Sequence, residues 1–495
     1  MVLRQAARIW MAALIAVAGF AATVPDSKLA DAAMDRDIAK VRSLLKLHAD
    51  VNAPQADGTT ALHWAARWNN PEMADLLIRA GANVKAQNRF GATPLLLAAM
   101  NGSAPVIEKL LQAGDDPNAV ISEKGDTVLM IAARTGKVDA IQVLLDHGAQ
   151  VDKTNREGQT ALMWAVAEKN AAATQLLIEH KADVNARTNK LPAPSPFQLI
   201  FSAPFPAGGM TPLLYAARQN DFDSARILLD AHADVNDTSA DGSSPLLVAI
   251  LNGHDALAKF LLDQGANPNL ADDKGRAALY AAVDMRNLEW STRPAPPEKD
   301  TLSELDLIKA LLEHGANPNA RLAKKIPLRG QPSFDGRWAN QIGATPFWRA
   351  AQSDDVTVMK LLVDHGADPL IAANDRTTPL MVAAGVGWSD GQSHGSQADA
   401  PEALRLCIQW GGDVNAVNEE GYTALHGASF RGANEVVQFL VEHGAKMDVK
   451  NKDGRTPINM AEGMHIGPGG WVEHDDTVAL FRKLMAQAKD QKTAN

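Results

Sequence analysis

The sequence predicts an all-α repeat solenoid, built from stacked helix-turn-helix units with β-turn fingers and several loop insertions. Three observations carry that expectation. A seven-residue motif recurs along the chain, as in TALHWAA at 60, TPLLLAA at 93, TVLMIAA at 127 and TPLMVAA at 378, and seven of its ten spacings are 33 or 34 residues. A glycine follows 21 residues after the motif in many units, as at Gly81, Gly114, Gly148, Gly265, Gly366 and Gly444. The 495 residues are 46% hydrophobic, an ordinary globular composition that leaves no case for wholesale disorder, and Trp (10) outnumbers Tyr (3), so the tryptophans are traced individually.

Composition also excludes. With 48 Lys+Arg against 58 Asp+Glu the net charge is −10, which argues against a general nucleic-acid binder. The single cysteine, Cys407, rules out a disulfide framework, a cysteine zinc site and a Cys-x-x-Cys redox pair. It stands on an apolar helical stretch (Leu404, Leu406, Ile408) and reads as a buried core thiol. Residues 1–22 read as a signal peptide, because Arg4 and Arg8 precede an apolar run from Ile9 to Ala22. That run of 14 residues is short of the about 20 that a membrane span needs. Removing its two arginines from a chain of net −10 leaves −12, and a periplasmic or secreted location follows. No other segment is long and apolar enough to cross a bilayer.

Each element of the unit has a local cause. The motif's Thr is a good N-cap, and Pro after it suits the first helical turn, where its missing N–H costs nothing. The Ala pair lets a short first helix lie close to its neighbours. A second helix follows with apolar residues at helical spacing, as in Ile141, Leu144 and Leu145. The glycine then ends it in the left-handed conformation, a slot that His48, Lys181 and His232 fill at about 1 kcal/mol each. Asp-Gly pairs such as Asp57-Gly58, Asp241-Gly242 and Asp453-Gly454 turn the chain into the next Thr.

On these residues the chain resembles ankyrin repeats, whose T-P-L-H-x-A motif recurs about every 33 residues. The resemblance covers roughly 26–490 and implies one elongated stack of about twelve units. They fall at 26–57 (a degenerate first unit), 58–90, 91–124, 125–157, 158–208, 209–241, 242–274, 275–342, 343–375, 376–420, 421–453 and 454–495, with Thr477 to Lys489 as the last helix. The full T-x-L-H tetrad survives only at His63 and His426, so weaker hydrogen bonding between repeats is expected elsewhere.

The period breaks in five places. Lys181 to Thr211 and Gly315 to Thr345 each span 30 residues where 12 or 13 are usual, so two 18-residue insertions enlarge fingers. The resemblance associates that edge with partner binding. Three further insertions, at 284–303, 385–400 and 463–476, enlarge the turn between helices, and each carries one tryptophan: Trp290, Trp388 and Trp471. Tryptophan is enriched at binding hot spots, so these are candidate partner contacts; the alternative is that each indole caps its own helix pair. The first finger, with five prolines, brings Phe197, Phe201 and Phe205 as a candidate apolar patch unless it folds back onto the solenoid. The second carries Arg321, Lys324, Lys325, Arg329 and Arg337 against Asp335, with Trp338 beside them, and either recruits an acidic partner or lies on the acidic solenoid. The candidates from this finger are Arg329, Arg337 and Trp338.

Little chemistry is legible. Gly391-Gln392-Ser393-His394-Gly395 has the letters of a hydrolase nucleophile elbow but no apolar strand before it. His465 and His474, near Glu473, Asp475 and Asp476, fit no zinc spacing. His147, His314, His365 and His443 sit at second-helix ends, where a polar or cationic side chain suits the helix dipole. No catalytic residue, cofactor or metal is assigned. The expected function is an exported, non-catalytic scaffold that binds another protein of the cell envelope through its concave face, fingers and loops. The alternative is an enzyme or small-ligand-binding protein whose site is built from the insertions at 284–303, 385–400 and 463–476.

Overall fold

A computed structural model describes residues 27–190, 208–287, 300–326, 340–387, 399–465 and 471–494. They form an all-α repeat solenoid arranged in two compact units, Met1–Asp183 and Val184–Asn495. The first unit contains the helix pairs α1 (Lys28–Met34) and α2 (Ile38–Lys46), α3 (Ala61–Arg67) and α4 (Pro71–Arg79), α5 (Pro94–Met100) and α6 (Ala104–Gln112), α7 (Val128–Thr135) and α8 (Val138–Asp146), and α9 (Ala161–Ala167) and α10 (Ala171–Glu179). The second contains α11 (Pro212–Gln219) and α12 (Phe222–Asp230), α13 (Pro245–Leu251) and α14 (Asp255–Asp263), α15 (Ala278–Arg286) and α16 (Glu304–Glu313), and α17 (Pro346–Gln352) and α18 (Val356–Asp364). It continues with α19 (Pro379–Ala383) and α20 (Ala400–Gln409), α21 (Ala424–Arg431) and α22 (Asn434–Glu442), and α23 (Pro457–Ala461) and α24 (Asp475–Ala494). The last helix is longer at both ends than its apolar pattern predicts.

Caps begin the first helices as the residues dictate. The Oγ1 of Thr93, Thr127, Thr160, Thr211 and Thr345 each accepts the amide N–H three residues on. The second helices end in left-handed residues, at His48, Lys181 and His232 (φ 57°, 70° and 66°) as well as at the glycines. The histidines there cap: Nδ1 of His314, His365 and His443 donates to the carbonyls of Ala310, Leu361 and Phe439 at 2.7–2.9 Å. His147 instead reaches Glu108 at 3.1 Å.

Neighbouring repeats are joined by two recurrent bridges. After five of the second helices an asparagine (Asn52, Asn118, Asn269, Asn319 and Asn415) donates to the next repeat's glycine carbonyl and accepts the amide two residues beyond. Asn118 Nδ2 binds Gly148 O at 3.0 Å and its Oδ1 takes Gln150 N–H at 2.8 Å. Asn269 and Asn319 do the same to Gly315 and Gly366, each at 2.9 Å, across separations of 46 and 47 residues instead of 30. The inserted segments therefore leave the bridge intact.

The second bridge starts from the motif's fourth residue. His63 Nδ1 accepts from Thr60 N–H and hydroxyl, and Nε2–H donates to Ala92 O at 2.9 Å. His426 repeats this with Arg455 O at 3.1 Å. Burial lowers both imidazole pKa values, which keeps the rings neutral, as this pattern of one acceptor and one donor requires. Where His is replaced, some positions keep half of this pattern, so the bonding between repeats is weaker in places. Trp348 Nε1–H donates to Thr377 O at 3.0 Å, supplying the inter-repeat half. Asn459 Oδ1 accepts from Thr456 N–H and hydroxyl, and Met130 and Met381 offer sulfur to the Thr amide, supplying the capping half.

The helix-turn edge of the second unit holds buried charge. Arg349, 5% exposed, binds Asp284 at 2.6 Å and Asn287 O at 3.0 Å, while Arg286 binds Asp355 at 2.9 Å. These contacts fix the point where the chain departs toward 288. Helix α19 is cut to five residues, after which Gly385 and Val386 run against α21. Gly427 permits this, since a Cβ there would meet Val386 N at 2.4 Å. Arg431 consequently reaches past the shortened repeat to Asp354, 3.2 Å away and 77 residues earlier. Burial pushes the Asp354 carboxyl up, against the pull of Arg431. Cys407, nearby in charge terms, is buried and its thiol is pushed up to about 12 by desolvation, so it is an unreactive core residue.

Arg431→Met strands Asp354 in the core and is expected to cost about 3–5 kcal/mol in urea unfolding, most of which Asp354→Asn in the same chain restores. Asp255, at the start of α14, supplies a pH prediction. Burial, then the charges of Glu304 and Asp300, raise its carboxyl to about 7. A raised carboxyl gives stability that is complete below its ordinary pKa and lost as pH rises through 7. Asp255→Asn should therefore unfold at higher urea than the parent above pH 7, by about 2 kcal/mol, with the advantage gone near pH 4.

Candidate functional site

The two enlarged fingers close at their bases in the same way. Thr188 N–H donates to Met210 O and Lys190 pairs with Gly208 across the base of the first. Leu322 N–H donates to Ala344 O, and Gly343 N–H to Leu322 O, in the second. Each base is clasped by an arginine two residues after the bridging asparagine. Arg187 binds Gly209 O at 3.3 Å, Thr238 O at 2.5 Å and the Asp237 carboxylate. Arg321 binds Gly343 O at 2.9 Å, Ala372 O at 3.0 Å and Asn374 Oδ1 at 3.0 Å. The separations are identical, 22 and 51 residues in both cases. Each guanidinium satisfies carbonyls of its own finger and of the following one, so both insertions leave from fixed points.

Most sequence-predicted contacts lie beyond these points. Phe197, Phe201, Phe205, Trp290, Arg329, Arg337, Trp338, Trp388 and the Ser393 segment fall outside the described residues. Trp471 belongs to a two-residue antiparallel ribbon in which it pairs with His465 and Val472 pairs with Met464. The base of the last insertion is thus closed by backbone pairing. In the second finger Arg321 is consumed by the clasp and Lys324 pairs with Asp273 at 3.4 Å, so these two cations lie on the solenoid. His474 Nε2 donates to Phe430 O at 3.0 Å, and among the described residues no three His, Cys, Asp or Glu side chains are grouped to hold a metal.

A surface that the insertions draw attention away from is the half-buried face of the first helices in the first unit. The motif's fifth residue reads Trp64, Leu97, Ile131, Trp164 over four successive repeats, and all four are half-buried. Trp68 stacks on Trp64 with ring centroids 5.7 Å apart and donates its N–H to Met34 O. Phe90, on the adjoining finger, is 72% exposed, and Met100 is 52% exposed. The signal was present in the TALHWAA and TALMWAV strings, from which the sequence reading took only the repeat period.

Comparison with known proteins agrees with this geometry. Residues 29–121, 96–188, 213–322 and 395–466 match the family described as ankyrin repeats (3 copies), and 342–374 match the single ankyrin repeat. The chain belongs to the ankyrin-repeat family. The ankyrin chain is 28% identical over 471 residues to the E3 ubiquitin-protein ligase KEG of Arabidopsis thaliana, an alignment covering 92% of this chain and 23% of that protein. It is 36% identical over 107 residues to the ankyrin repeat domain-containing protein SAT10 of Stachybotrys chartarum, and 36% over 117 residues to the neurogenic locus notch homolog protein 1 of Danio rerio. Those alignments cover 22% and 23% of this chain and 5% of each relative. The chain thus spans less than a quarter of the length of these relatives. Among solved structures, the human ASB11 ankyrin repeat domain aligns with a TM-score of 0.42 at 24% identity, over 49% of this chain and 99% of that one.

The clasp is testable on this ankyrin frame. Arg321→Met leaves three acceptors without their donor and should cost about 1–3 kcal/mol. Hydrogen exchange at the Leu322 and Gly343 amides should quicken, while the Thr188 amide in the other finger keeps its parent rate.

Proposed function

We propose that this protein is an exported scaffold that binds a protein partner of the cell envelope through its fingers, inserted loops and first-helix faces, without a chemical step. Ankyrin repeats serve protein–protein interaction, and the fold is generally a non-catalytic one. The observation that supports the scaffold reading best is the pair of clasped fingers. Two insertions of equal length leave the solenoid from bases held by the same arginine contacts, while beneath them Asn185 takes the Asp234 amide and Asn319 spans to Gly366 and Asp368. Such a frame presents inserted segments while the stack beneath keeps its bonds. The basic start and short apolar run of residues 1–22 support export to the periplasm or medium. Among the described residues no helix is long and apolar enough to cross a membrane.

The reading is tested by affinity capture from envelope extract with residues 23–495, beside a variant in which short Gly-Ser linkers replace 191–207 and 327–339. A specific protein held by the first and lost by the second is the expected result; a folded bait that captures nothing defeats the scaffold reading. N-terminal sequencing of the protein recovered from the envelope should begin after residue 22, and an intact Met1 in the cytosolic fraction would remove export from it.

A further inference from the structure

The first-helix face of the first unit has a composition that packing does not require. Beneath it the buried residues of α3, such as Leu62, Ala65 and Ala66, already fill the core. The motif's fifth position in the second unit is held by residues the fold absorbs, including Tyr215, Ala281, Arg349 and Val382, each no more than 7% exposed. Half-buried tryptophans at this position occur only in the first unit among the described residues. Arginines accompany them. Arg36 lies 4.0 Å over the Trp68 ring, Arg67 5.8 Å from it, and Arg134 5.8 Å from the Trp164 ring. All three are exposed, and none forms an ion pair among the described residues. Of the neighbouring carboxylates, Asp31 holds in α1 the motif position of Trp64 and accepts from Ser27 and Gln55, Asp35 precedes Arg36, and Glu168 follows the last residue of α9. An acidic chain thus carries here an aromatic strip bordered by unpaired positive charge.

Charge and spacing together define what fits. Stacked helices sit about 10 Å apart, so the strip offers one apolar seat per repeat at that period. An extended polyproline-type segment rises about 3.1 Å per residue and returns to the same side every third residue, about 9.3 Å on. It would place an apolar side chain on each of Trp64, Leu97, Ile131 and Trp164 in turn. Its intervening side chains would meet the arginine border, which selects carboxylates. Trp and Arg are also the residues most often found to dominate binding energy at interfaces.

We infer that this face binds an extended acidic segment of a partner protein, with an apolar residue at every third position and Asp or Glu between. The inference rests on the scaffold reading above and names the partner chemistry for one of its surfaces. The probe is the peptide (Leu-Glu-Pro)4, titrated into the full chain by calorimetry, against (Leu-Lys-Pro)4 and a Glu peptide with Leu at every fourth position. The first should bind at least about ten-fold more tightly than either control, and raised salt should weaken it. Arg67→Glu with Arg134→Glu, both on exposed side chains, should lower its affinity about ten-fold or more with the thermal melt unchanged. Trp164→Ala should lower it as well, and Trp164→Phe should restore most of it. Equal binding of the Glu and Lys peptides, absence of binding, or an affinity untouched by the charge reversals would each overturn the inference. An envelope protein that binds the doubly reversed variant as well as the parent would overturn it while leaving the scaffold reading standing.

Discussion

A helix pair of this protein cannot satisfy its own backbone. The last helical carbonyls are taken up locally, as Leu144 O and Leu145 O are by the amides of Ala149 and Gly148, but the carbonyl of the left-handed residue and the amide two residues on are met from the preceding repeat, whose asparagine supplies a donor to the one and an acceptor to the other. The rest of the architecture depends on that reach from one unit to the next. It sets the stacking distance, it requires the left-handed residue whose carbonyl it captures, and it explains why the apolar faces of neighbouring helices meet in register. The bridges from His63, His426 and Trp348 add a second line of contact on the first-helix side at three junctions.

Much of this was legible in the sequence because its causes are local. Thr caps, prolines after them and left-handed residues act over a few positions, and they repeat at the period of the fold. Even His48, Lys181 and His232 were recognisable, since spacing alone placed them in the glycine slot. Contacts made by long side chains across many residues were not legible. Nothing in the local pattern says that Arg431 reaches Asp354 past a shortened helix, although Gly427 in a position usually held by a larger residue was a trace of it. The clasping arginines were hidden for the same reason: Arg321 was counted as a finger charge, and only the folded chain turns it onto three backbone and side-chain acceptors.

The two units use polar residues differently. In the first, the arginines among the described residues stay on the surface, and the departures from the repeat pattern are aromatic. In the second, arginines enter the helix-turn edge and replace part of the apolar packing with paired charge near the points where 288–299 and 388–398 depart. A buried ion pair is weak evidence of stability but strong evidence of a fixed geometry, because its partners tolerate few arrangements. The second unit thus anchors its insertions with directional bonds, while the first keeps an uninterrupted helical face.

The equal separations at the two clasped fingers carry a consequence for how such a chain changes over generations. Closing a longer loop costs only about 0.6 kcal/mol for each doubling of its length. An asparagine bridge that spans 47 residues as readily as 30 leaves the junction indifferent to what lies between. The finger base therefore behaves as a socket. Once an arginine two residues after the asparagine has secured it, the sequence plugged into that socket is free to be lengthened, exchanged or rewritten while the stack beneath inherits no penalty. New specificity in a protein of this kind need not await compensation in the core; it can be acquired one loop at a time.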